Sequence, residues 1–255
     1  MDRKFQIGEI AGFFDIPAST LRYWEDKGVL HPKKYENQYR EYTIEDLMTI
    51  SDVIFYKNLG LQLKEICGME VSTPKQHHEL FAEKIVELER QQEMLTRRMK
   101  KLHYHMQAVE MLEMLKAQPY QQTDIDTDCV VSFDLIEKDK LRRYIENPYL
   151  YTRVQHSQSL PQEQRGITVS ANMSSSFPET SILWRKQSTQ YMTFLMKEEV
   201  TTGFPNDLSE HLAHIQESYC TGAIISRFLL CAQENGKTYD FYKTFVEILS
   251  DSVNK

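Results

Sequence analysis

A small set of side chains near the start of the sequence has the chemistry of phosphate recognition. Arg22 and Tyr23 stand in the run Thr20-Leu21-Arg22-Tyr23-Trp24-Glu25, Lys33, Lys34, Tyr39, Arg40 and Tyr42 follow, and Lys57 comes just before Asn58-Leu59-Gly60. A guanidinium offers forked, charge-assisted hydrogen bonds to anionic oxygens, a phenol offers its hydroxyl, and an ammonium acts as a point charge. Few of these groups suit dense reading of base edges. Each has a competing reading. Tyr39 and Tyr42 suit core packing of a hairpin, Arg22 a solvated pair with Glu25 or Asp26, and Lys33 with Lys34 a plain exposed pair.

The elements needed to position these groups are legible. Ile7, Ile10, Ala11 and Phe14 fall on one face of a short helix. Pro17 suits the first turn of a second helix, where its missing N–H costs nothing, and Gly28 suits the left-handed position that ends it. Leu21 and Trp24 face back to the first helix, which makes a helix-turn-helix. Residues 31–42 suit a β-hairpin wing. Thr43, with Asp46 three residues on, caps a third helix as a variant capping box, and residues 63–69 make a fourth.

A continuous helix follows. Residues 76–117 lack Gly and Pro, and Phe81, Ile85, Leu88, Gln92, Leu95, Met99, Leu102, Met106 and Val109 recur at alternating steps of four and three. That is an a/d heptad register. Residues 78–116 would span roughly 58 Å. So narrow an apolar stripe needs a partner helix, which predicts a homodimeric coiled coil with Gln92 helping to fix its register. Packing of the helix on its own domain is the alternative.

Composition narrows the function classes. The chain has 255 residues, 41% hydrophobic and 26% charged, with a formal net charge of -7. That is a globular composition, and it argues against indiscriminate polyanion binding. Residues 1–75 carry 10 Lys/Arg against 12 Asp/Glu, so any nucleic-acid contact depends on local placement. No run of about 18 uncharged apolar residues occurs, so no membrane span is expected, and the absence of a signal-peptide pattern predicts a cytoplasmic protein. The four cysteines at 67, 129, 220 and 231 are too scattered for a disulfide scaffold. No Cys-x-x-Cys occurs, and His77-His78 and His103-x-His105 lack the i, i+4 spacing of a helical ligand pair. No metal, cofactor or catalytic residue is therefore expected, and Cys129 reads as a small strand residue before a redox centre.

Five blocks carry a resemblance. Ile7-Gly8-Glu9-Ile10-Ala11, Thr20-Leu21-Arg22-Tyr23-Trp24-Glu25, Lys27-Gly28-Val29-Leu30, Tyr39-Arg40-Glu41-Tyr42 and Leu59-Gly60-Leu61-Gln62-Leu63-Lys64-Glu65-Ile66 resemble, in order and spacing, the MerR family of bacterial transcription regulators over about residues 5–70. The heptad helix agrees with that family's antiparallel dimerisation coil. The resemblance implies a non-enzymatic activator that binds double-stranded promoter DNA as a homodimer through Thr20, Arg22, Tyr23, Lys33, Lys34, Tyr39, Arg40, Tyr42 and Lys57. It further implies that, on effector binding, the dimer kinks and underwinds an overlong promoter spacer for RNA polymerase holoenzyme.

The expected fold class is α+β, divided as a winged helix-turn-helix (1–75), a coiled-coil dimerisation helix (76–118) and an α+β effector-binding domain (119–255). In the last, residues 119–128 read as a linker. Strands are expected at 129–136, 149–155, 166–171, 181–185, 191–197, 223–230 and 245–249, with helices at 207–219 and near 141–145. The order resembles, more weakly, the GyrI-like domain of multidrug-sensing members. Tyr149, Tyr151, Trp184, Tyr191, Tyr219, Tyr242 and the acid Glu247 are the candidate pocket for a lipophilic or cationic small molecule; individual aromatics could equally be core, and Glu247 an edge-strand acid. Two alternatives stay open for this domain: a small-molecule hydrolase, and a DNA-bending protein that needs no ligand.

Overall fold

The computed structural model describes residues 4–34, 40–69, 71–134 and 136–251. They form two compact units, residues 1–94 and 95–255, so the division falls inside the long helix. The architecture is α+β. No described helix is long and apolar enough to cross a membrane.

The first unit begins with α1 (Ile7–Phe13) and α2 (Ala18–Asp26). Pro17 precedes α2 as its N-cap. Gly28, at φ 73°, ends it, with Gly28 N–H donating to Glu25 O at 2.9 Å and Val29 N–H to Trp24 O at 2.9 Å. Those two bonds satisfy helix-end carbonyls, and only a residue without Cβ adopts that φ at no cost. Strands β1 (Lys33–Lys34) and β2 (Arg40–Glu41) pair antiparallel as the base of the wing. Helix α3 (Ile44–Asn58) starts at the expected box: Thr43 Oγ1 accepts from Asp46 N–H, and Thr43 N–H donates to the Asp46 carboxylate at 2.7 Å. Helix α4 (Leu63–Met69) completes a core built on Ile10, Leu21, Trp24, Tyr42, Ile50 and Leu61.

Helix α5 (Pro74–Ala117) begins in the first unit and ends in the second. Ile85, Leu88, Leu95, Met99, Leu102, Met106 and Val109 are all exposed along it. Phe81 departs from the expected stripe. It is partly buried in the first unit's core and stacks on Tyr56, ring centroids 6.3 Å apart.

The second unit is an eight-stranded antiparallel sheet: β3 (Gln121–Thr123), β4 (Cys129–Ser132), β5 (Tyr151–His156), β6 (Glu163–Val169), β7 (Ile182–Arg185), β8 (Gln190–Glu199), β9 (Tyr219–Glu234) and β10 (Lys237–Asp251). Helices α6 (Lys138–Glu146), α7 (Ala171–Ser174) and α8 (Leu208–Gln216) are inserted between strands. The spatial order is β3-β8-β10-β9-β5-β6-β4-β7. From the central β9–β5 pair outward, the succession β9, β10, β8, β3 mirrors β5, β6, β4, β7. Strand-helix-strand-strand therefore occurs twice, as β4-α6-β5-β6 and β8-α8-β9-β10. The sequence carries no repeat signal for this duplication. Strand β3 lies within the segment expected to be a linker, so that expectation is corrected: Gln121 to Thr123 pair with Thr193 to Tyr191.

The two faces of the sheet are covered differently. Helix α8 packs Leu208, Leu212 and Ile215 on Phe194, Met196, Ile224, Tyr242 and Val246. On the other face the end of α5 seats Ala108, Leu112 and Leu115 on Leu229, Leu230 and Phe241. Each large side chain buried this way contributes on the order of 1.5–3 kcal/mol.

Candidate functional site

In the first unit α2 carries Arg22 and Tyr23 into solvent, with Lys27 Nζ 5.5 Å from the Tyr23 ring centroid. Thr20 is half-buried, and Lys33 and Lys57 are exposed. Tyr39 and the side chain of Lys34 lie outside the described residues. The wing residues behave differently from the expectation of open phosphate ligands. Tyr42 is 0% exposed and belongs to the core, and its hydroxyl donates to Glu25 Oε1 at 2.9 Å. Burial, then the bond to Glu25, pushes the Tyr42 phenol above its ordinary range. Arg40 directs Nε to both Glu25 oxygens, at 2.9 and 2.8 Å. The Glu25 hydrogen bond is also the main reason its pKa is raised. Glu25, which the competing reading of Arg22 offered as that arginine's partner, accepts instead from Arg40 and Tyr42 of the wing.

In the second unit a cavity of about 650 Å³ opens on the face that carries α8. Its wall combines Phe133, Tyr144, Tyr151, Phe204, Phe228 and Tyr242 with Arg153, Arg165, Glu163, Glu198, Asp240 and Asn206. Strand alternation explains the set: Tyr151 and Arg153 on β5, and Glu198 on β8 with Tyr242 on β10, project to one face. Arg153 and Glu198, 8% and 3% exposed, form a two-pronged pair with both N···O distances 2.6 Å. Arg153 Nη2 also donates to Tyr242 Oη at 2.6 Å. Burial is the largest single influence on the Arg153 pKa and lowers it, but the Glu198 bond and the negative charge of Glu198, Glu163 and the Tyr242 phenol together outweigh burial and raise it, so Arg153 stays cationic. Burial pushes the Tyr151 and Tyr242 phenols up.

Of the seven residues expected to form the pocket, only Tyr151 and Tyr242 line this cavity. Tyr191 and Trp184 are buried on the opposite face, ring centroids 6.3 Å apart. Tyr149 Oη bonds to His105 Nδ1 at 2.6 Å, and Tyr219 Oη accepts from Gln122 at 3.1 Å. Glu247 sits at a bulge where Gly222 and Ala223 oppose it, and its carboxylate accepts the Ala223 N–H at 3.0 Å. It repairs a broken ladder there, which is a structural use. Glu198 and Asp240 stand among the acids that the sequence offers for such a cage, beside Glu199, but Arg153 and Arg165 were missed; the Arg153–Glu198 pairing spans 45 residues of chain and leaves no local signal. Cys129 is buried and its thiol is pushed up by burial, which keeps it protonated near neutral pH. Among the described residues no group of three or more His, Cys, Asp or Glu side chains is arranged to hold a metal.

Residues 5–70 match the MerR HTH family regulatory protein model, so the first unit carries a MerR-family helix-turn-helix domain. Two curated relatives share part of the chain. The HTH-type transcriptional activator TipA of Streptomyces coelicolor is 30% identical over 42% of this chain and 40% of its own. The Multidrug-efflux transporter 2 regulator of Bacillus subtilis is 30% identical over 34% of this chain and 33% of its own. The chain thus spans well under half the length of either. Among solved structures, a MerR-family transcriptional regulator from Bacillus cereus aligns with 46% of this chain and 85% of its own, at 25% identity and a TM-score of 0.36.

Proposed function

We propose that this protein is a ligand-responsive, MerR-type transcription regulator, not an enzyme, that binds double-stranded promoter DNA as a homodimer. The observation that carries the reading is the winged helix-turn-helix at residues 5–70, with Arg22 and Tyr23 in solvent on α2, in a segment that matches the family. The names of the relatives, an activator and a drug-efflux regulator, support the same activity.

The functional division is a DNA-binding domain (1–75), a dimerisation helix (76–118) and an effector-binding domain (119–255). The exposed stripe from Ile85 to Val109 supports pairing with a second copy's helix, and Gln92, at an a position, restricts the register. Two modules paired in this way impose a geometry on the duplex. Bending and underwinding an overlong spacer so that RNA polymerase can engage costs on the order of 1–6 kcal/mol, which phosphate contacts offset. A ligand in the cavity acts by favouring one dimer conformation over another.

The test uses the full chain and promoter fragments that carry an inverted repeat inside a lengthened spacer. Footprinting should give symmetric protection over the repeat and preference over random competitor DNA. Equal affinity for both would refute the reading.

A further inference from the structure

The charges of the cavity are sorted by strand. Arg153 on β5 and Arg165 on β6 are direct cross-strand partners. Glu198 on β8 and Asp240 on β10 are direct cross-strand partners too. Like charges set opposite each other destabilise an antiparallel ladder, so each pair calls for a counter-charge. The fold supplies one bridge between the pairs, Arg153 to Glu198, with two 2.6 Å bonds. One member of each pair stands outside that bridge, and Glu163 on the same wall lies 3.5 Å from Arg153. Arg165 leans on Glu163 at 3.0 Å, yet 63% of its side chain is in solvent. Asp240 has the Cys231 thiol beside it. Strand β9 runs between the two strand pairs and carries Phe228, while Tyr151 and Tyr242 flank it on β5 and β10.

Resting on the reading of this cavity as the effector site, we propose that its ligand is a zwitterionic aromatic molecule. Its cationic group pairs with Asp240, its anionic group with Arg165, and its rings lie on Tyr151, Phe228 and Tyr242. The ligand thereby completes a second bridge parallel to Arg153–Glu198. A purely lipophilic cation would answer Asp240 and leave Arg165, its side chain 63% in solvent, with Glu163 alone. A pure anion would meet a wall in which three carboxylates outnumber two guanidiniums.

Three probes with one aromatic body test this by calorimetric titration of the full-length protein. Phenylalanyl-phenylalanine carries both charges, its C-terminal amide only the cation, and its N-acetyl form only the anion. The dipeptide should bind about tenfold more tightly than the amide, the scale of one charge-assisted hydrogen bond, and the N-acetyl form should bind weakest. R165Q should abolish the preference for dipeptide over amide, and D240N should weaken both. That preference is a ratio read within each variant, so a general loss of fold does not imitate it. An amide as tight as the dipeptide, an R165Q variant that keeps the preference, or no binding by any probe overturns the proposal. Promoter binding by the same preparation is read separately, so a failure here is distinct from a failure of the regulator reading.

Discussion

Glu25 on α2 and Arg40 on the wing are joined by two hydrogen bonds, Nε to Oε1 at 2.9 Å and Nε to Oε2 at 2.8 Å, with Glu25 only 4% exposed. The same carboxylate accepts the Tyr42 hydroxyl. The wing is thereby fastened to the helix that carries Arg22 and Tyr23. Glu25→Ala leaves two donors without their acceptor and should cost about 1–3 kcal/mol of folding stability. Urea denaturation of the full chain checks this. A loss within about 0.5 kcal/mol, the scale of an ordinary surface change, would rule out the fastening role.

Arg22 stands in solvent on α2. If it meets a phosphate, Arg22→Ala weakens binding to promoter and random DNA alike and reduces the salt slope by about 1. Anisotropy titrations at several salt concentrations measure both. An unchanged slope would remove Arg22 from the phosphate contacts.

Leu95 is 56% exposed in the middle of the heptad stripe of α5. In a paired coil Leu95→Glu buries a charge in each copy, which no packing compensates. Sedimentation should then report single subunits, and promoter binding should vanish. A dimer of undiminished stability would refute the register.

Asp126 lies between Arg227 Nη1 at 2.5 Å and Lys243 Nζ at 2.9 Å. Burial raises its pKa, but the two cations outweigh burial and hold the carboxyl below its ordinary value. A carboxyl with a lowered folded pKa binds fewer protons in the native state. Its contribution is complete above about pH 4 and drains away as pH falls through the folded value. D126N should therefore lower the urea midpoint at pH 7, and its gap from the parent should narrow steadily below about pH 4. A gap that stays constant with pH would exclude the ion pairs as its cause.

The first unit was legible because its signals are local. Thr43 and Asp46 are three residues apart, Gly28 follows the helix it ends, and the stripe on α5 repeats within two turns. All seven strands expected after residue 128 fall on observed strands, since apolar runs between turn residues are local as well. The cavity was not legible. Arg153 meets Glu198 and Tyr242 across 45 and 89 residues of chain, and only the strand order brings them together. Tyrosine and acid content alone could not separate Tyr242, which lines the cavity, from Tyr191, which is buried behind it. The same limit hid the job of Glu247, whose carboxylate meets a main-chain group of β9.

Strand β9 carries an extra residue where Tyr242 pairs with Phe228 and Phe241 with Leu230. Phe228 forms wall of the cavity, and its immediate successors Leu229 and Leu230 seat the end of α5 on the reverse side. A single ply of backbone stands between the cavity and the helix there, and one of the bulges of β9 lies within it. On the proposed reading of the cavity as the effector site, a molecule that re-aims the Phe228 ring would tug on the very peptide units beneath Leu112 and Leu115, so news of occupancy would have almost no distance to travel.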